Sequence, residues 1–117
     1  MSLMHRELAS GRWNELSLLE QLGNVGSEVG RALKWKGKNP DYCMRAVERA
    51  LELLDLTLAC PGNRLRLKEV ARAREILVDF FYGENQFATT GESLSAYFLR
   101  FAYAARRKNG DRFISTT

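Results

Sequence analysis

Residues 39–62 read NPDYCMRAVERALELLDLTLACPG, and this stretch decides the fold. Asn39 offers a side-chain cap, Pro40 stands where a first helical residue has no N–H bond to lose, and Asp41 meets the positive end of the helix dipole. From there Cys43, Val47, Ala50, Leu54 and Thr57 recur at alternating four- and three-residue intervals, widened by Ala46, Leu51, Leu53 and Leu58. Asp41, Arg45, Glu48, Glu52 and Asp55 track the opposite side, so the spacing predicts one amphipathic helix closed by Pro61-Gly62. Cys43 and Cys60 would then lie about 25 Å apart at the standard helical rise, far outside disulfide reach.

Toward the N-terminus, Leu18, Leu22, Val25, Val29 and Ala32 repeat the same interval and predict a helix from about Glu15 to Lys36. Asn14 reads as its cap, with Trp13 and Leu18 in staple positions. Gly23, Gly26 and Gly30 fall on one side of this helix, although each glycine costs up to about 1 kcal/mol there relative to alanine. Such a row predicts close backbone approach, in a tight helix pair or at a seam between copies.

Toward the C-terminus, a third helix is expected after Asn63, with Leu67, Val70, Ala73, Leu77 and Phe80 as its seam, Ile76 and Phe81 broadening it, and Gly83 as a left-handed cap. A polar loop, residues 84–91, precedes a fourth. That helix starts at Thr89 with Glu92 completing a capping box, carries Leu94, Tyr97 or Phe98, Phe101 and Ala104 or Ala105, and exits through Arg106, Arg107, Lys108 and Gly110. Four helices joined by connections this short predict an all-α, antiparallel up-down four-helix bundle. A length of 117 residues suits one core. Residues 1–13 read as a lead-in, 14–110 as the bundle and 111–117 as a loose tail, with Met1-Ser2-Leu3 before Met4 reading as a vector-derived addition.

Composition narrows the chemistry. Apolar residues make up 45% and charged residues 27%, an ordinary globular balance. No apolar run approaches the roughly 20 residues of a membrane span, and without a signal core or disulfide framework a reducing cytoplasm is expected. The chain has one histidine, His5, in the lead-in, which leaves no candidate general base of that type in the bundle. Cys43 and Cys60 lack a histidine partner and read as packing residues. No catalytic residue, metal site or cofactor is assigned.

Glu48, Glu52 and Asp55 share a helical face, and Glu52-Leu-Leu-Asp55 is similar to the Glu-x-x-Asp half of the acidic motifs of all-α nucleoside triphosphate pyrophosphatases. The companion Glu-x-x-Glu is missing, because Glu15, Glu20 and Glu28 have the wrong intervals. Arg45 and Arg49 interleave the acids as partners at i+3, so a charge-paired solvated face is expected there.

The capped four-helix order and length resemble the small helical proteins of the HEPN group, the nucleotidyltransferase-associated substrate-binding proteins, and the bundle encoded by ribosomal-RNA intervening sequences. The ribonuclease motif of the HEPN group is an arginine followed four to six residues later by histidine, and His5 has no such arginine before it. The resemblance therefore implies a non-nuclease branch, in which homo-oligomerisation and binding of a protein partner encoded nearby, or of nucleic acid, are typical.

Two surfaces stand out as candidates. In an up-down bundle the start of the third helix and the end of the fourth share a pole, collecting Arg64, Arg66, Lys68, Arg106, Arg107 and Lys108. Cations at a helix C-terminus are ordinary, whereas cations at a helix start oppose the dipole, which points to an anion there, RNA or a nucleotide; pairing with Glu69 is the competing account. A net charge of +4 permits such a partner. The second surface is an oligomer interface of Gly23, Gly26 and Gly30 with the off-seam residues Trp35, Leu56 and Tyr103. The aromatic run Tyr97, Phe98, Phe101 and Tyr103 is flanked by Arg100 and Arg106, but its helical spacing favours core packing for Phe98 and Phe101. A non-catalytic oligomeric interaction module is the leading expectation, an RNA- or nucleotide-binding protein the second, and a degenerate magnesium-dependent nucleotide pyrophosphohydrolase the third.

Overall fold

Side-chain caps set where three of the four described helices begin, the third in chain order being the exception. The computed structural model describes the backbone of residues 11–115 and the side chains of residues 11–108; Met1 to Leu3 and His5 lie outside this range. Among the described residues the chain is helical without strands, comprising α1 (Leu18–Trp35), α2 (Pro40–Ala59), α3 (Leu67–Phe81) and α4 (Gly91–Ser115), with short 3-10 turns at Arg12–Glu15 and Pro61–Arg66. None of these helices is long and apolar enough to cross a membrane.

The expected start of α1 needs correction. Residues 12–15 form a separate 3-10 turn, and α1 restarts at a capping box in which Glu20 N–H donates to Ser17 Oγ and Ser17 N–H donates to Glu20 Oε1. Trp13 therefore belongs to the core rather than to a lead-in. It is 2% exposed, and its indole N–H donates to Thr57 Oγ1 at 3.0 Å. Gly37, at φ +78°, reverses the chain in the left-handed conformation that glycine adopts without strain. Asn39 then caps α2 by accepting from Tyr42 N–H.

Four further expectations shift. The third helix begins at Leu67, because residues 61–66 take the 3-10 turn and the Asn63 side chain is buried, donating to Gln21 Oε1 at 2.8 Å and to the Thr57 carbonyl at 2.9 Å. Gly83 is not left-handed; α3 stops at Phe81, and Tyr82 N–H closes on the Val78 carbonyl. The cap of α4 is Thr90 rather than Thr89, since Thr90 and Ser93 exchange hydrogen bonds while Thr89 N–H is held by Asn85. The described helix runs past Gly110 to Ser115, through most of the expected tail.

Packing is most extensive between α1 and its two neighbours, α2 and α4, with α3 lying against α2. The contacts of α1 with α2 and with α4 run in opposite senses along the chain. Trp13 meets Thr57, Glu28 meets Arg49 and Trp35 meets Tyr42, while the Gly23 backbone faces Ala102 and Gly26 faces Phe98. Leu22, Val25 and Val29 of α1, Leu53 and Leu54 of α2, Val70, Ala73 and Leu77 of α3, and Leu94 and Phe98 of α4 fill one core with Trp13. The expected seams thus supply the interior. Cys43 and Cys60 are buried free thiols, and burial pushes the Cys43 thiol above its ordinary pKa.

Candidate functional site

The expected basic pole is gathered in part. Arg66 and Lys108 line one cleft of about 470 Å³, together with Asn14, Ser17, Cys60 and Asn63. Arg64 and Arg66 occupy the last turn of the 3-10 segment rather than the first turn of α3, so only Lys68 lies inside the helix start. The electrostatic conflict that pointed to an anion is correspondingly smaller. Arg66 Nε also donates to Glu69 Oε2 at 2.8 Å, and the Arg106 guanidinium lies 5.6 Å from the Tyr103 ring centre. Arg64, Lys68 and Arg107 are exposed.

The residues assigned to an oligomer seam are used differently within the chain. A Cβ added at Gly26 would stand 2.8 Å from Phe98 Cβ, and one at Gly23 would stand 3.3 Å from Ala102 Cα, so the close approach announced by these glycines is made by α1 and α4 of the same molecule. Gly30 has open space around it. Leu56 packs half-buried against the core, Trp35 lines a cleft between α1 and α2, and Tyr103 is exposed. The structure does not bring the six together on one surface.

On the acidic face of α2, Asp55 accepts from Arg74 Nε of α3 at 2.8 Å. Among the described residues no three His, Cys, Asp or Glu side chains are grouped to hold a metal ion.

A site that residue spacing alone missed lies between the C-terminal half of α1 and the N-terminal half of α2. Glu28 occupies a seam position of α1 and is 8% exposed. Its carboxylate accepts from two arginines at 3.1 Å each, Arg31 Nη1 one turn along α1 and Arg49 Nε across on α2. Helix α2 adds Arg45, one turn before Arg49. These three guanidiniums, with Trp35, Tyr42 and Ala46, line a cleft of about 340 Å³. Trp35 packs against Ala32, Cys43, Ala46 and Val47, and its ring meets that of Tyr42 edge to face at 5.1 Å. The Lys34 ammonium lies 5.3 Å from the Trp35 ring centre.

The arrangement has a definite chemistry. A carboxylate buried at a helix interface requires charged partners, and here they are arginines whose planar forks retain donors beyond those spent on Glu28. Three guanidinium charges less one carboxylate leave these four groups at a formal +2. The sequence signal is two helical stripes, Arg31-x-x-x-Trp35 and Tyr42-x-x-Arg45-x-x-x-Arg49, which converge only once the facing sides of the two helices are known. Comparison of the chain with known protein families, with curated proteins and with solved structures gives no match.

Proposed function

We propose that this chain is an antiparallel up-down four-helix bundle acting as a non-catalytic binding module, and that it holds a phosphate-bearing anion among Arg31, Arg45 and Arg49. The opposed contact senses of α1 with α2 and of α1 with α4 support the topology. The observation that carries the function is the anchoring of two of the three guanidiniums by one buried carboxylate. Arginines fixed in this way need less ordering when a ligand arrives, which favours binding, and their forks match phosphate oxygens in pairs. Both cysteines are buried and Asp55 is tied to Arg74, which supports a role without group-transfer chemistry.

A second reading places the anion at the pole, favoured by the shared cleft of Arg66 and Lys108. One experiment separates the two. Pyrophosphate is titrated by calorimetry into the wild-type chain, Arg45→Gln/Arg49→Gln and Arg64→Gln/Arg66→Gln at low salt. The interhelical reading expects about a tenfold or greater loss in the first variant, equivalent to roughly 1.4 kcal/mol or more, and wild-type affinity in the second. The opposite pattern transfers the site to the pole, and no binding by the wild type overturns both readings.

A further inference from the structure

We infer that the cleft between α1 and α2 takes a nucleoside phosphate unit, with the base against Trp35 and Tyr42 and the phosphate among Arg31, Arg45 and Arg49; this rests on the anion reading above. The two helices meet in three tiers counted from their connecting turn. Trp35 and Tyr42 form the tier nearest the turn, Arg31 and Arg45 the next, and the Glu28–Arg49 pair the third. Successive tiers are one helical turn apart, about 5.4 Å. Aromatic and cationic surfaces therefore follow one another along the cleft at a separation comparable to the sugar that spaces a base from its phosphate.

The aromatic tier is held in place. Trp35 is seated on a small buried cluster and braced by Tyr42, whose backbone is fixed by the Asn39 cap, while Tyr42 itself is 50% exposed and open to contact. A phosphate alone has no use for these rings, and an acidic peptide would satisfy the cations while leaving the rings without a planar partner. A base satisfies both, since every base offers a face for stacking. The cleft of about 340 Å³ is at the lower end of ligand-pocket size, fitting a single unit rather than a duplex, whose bases are already stacked on one another.

The test is a set of titrations on the full chain at low salt, read by calorimetry and tryptophan fluorescence. The probes are uridine monophosphate, a single-stranded uridine octamer, the abasic sugar-phosphate octamer, a short RNA duplex, hexaglutamate and pyrophosphate. Base-bearing single-stranded ligands are expected to bind more tightly than the abasic strand, the duplex or the acidic peptide. Tyr42→Ala should weaken them roughly 5- to 150-fold, the range one base–aromatic stack supplies, while leaving pyrophosphate unaffected. An octamer no tighter than the mononucleotide identifies a free nucleotide as the ligand, whereas a tighter octamer with steep salt dependence identifies a strand; either supports the inference. Equal affinity for abasic and base-bearing strands, equal affinity for hexaglutamate, or no effect of Tyr42→Ala overturns the nucleoside assignment and leaves the phosphate reading standing. Undiminished binding of every probe by Arg45→Gln/Arg49→Gln removes the cleft, and with it both the nucleoside assignment and the interhelical phosphate reading.

Discussion

Gln21 and Glu28 stand two turns apart on the same side of α1, each a polar residue on a seam otherwise built of leucine, valine and alanine, and the structure resolves the two intrusions in opposite ways. Gln21 is fully buried in a neutral network. Its amide donates to the Trp13 carbonyl and to Cys60 Sγ and accepts from Asn63, while Thr57 accepts from the Trp13 indole and donates to the Leu53 carbonyl. Every bond closes inside the fold, joining both 3-10 turns to α1 and α2. Glu28 is instead bound by guanidiniums that reach in from the surface and line a cleft. A polar group completed by its interior neighbours serves architecture, whereas one completed by partly exposed cations leaves donors facing outward.

That contrast can be broken by substitution. The largest effect is expected for Asn63→Ala, which strips partners from Gln21 Oε1 and the Thr57 carbonyl and should lower unfolding free energy by about 2–4 kcal/mol in urea titration. Pyrophosphate affinity of the folded fraction should be unchanged; a parallel loss of affinity would show that the two clusters are one unit. Glu28→Gln is expected to cost about 1–2 kcal/mol of stability, because the carboxamide keeps one oxygen to accept from one arginine and turns a donating NH2 toward the other. A stability cost as large as that of Asn63→Ala would mean that the charged cluster is architectural too. The smallest effect should come from Arg31→Gln. Its side chain is 62% exposed, so the stability change should stay within about 1 kcal/mol, while anion affinity falls severalfold. Stability and affinity moving together would dissolve the distinction.

The four helices were legible because burial imposes a period, and the seams from Leu22 to Ala32, Cys43 to Thr57 and Val70 to Leu77 follow it. Trp13 was not legible as a core residue, since the turn holding it is too short to show a period and its place depends on Thr57, distant in sequence. The arginine cleft was hidden for a related reason. Reading one helix at a time pairs Arg49 with acids on its own face, whereas in the fold it reaches Glu28 on α1. The glycine row was half legible: its spacing announced a close approach, but only the three-dimensional arrangement names α4 as the neighbour of Gly23 and Gly26.

The contact between Gly26 and Phe98 also constrains how this sequence can drift. The obstacle to a side chain at position 26 is the Cβ of residue 98, an atom that every amino acid except glycine carries. Trimming Phe98 to leucine or alanine would leave that obstacle in place, and a glycine at 98 would clear it only by emptying one of the largest buried volumes in the core. Position 26 therefore has no cheap second-site suppressor. Related chains that keep this pairing of α1 and α4 should hold glycine there while Gly30, two residues short of Ala32 and free of neighbours, varies.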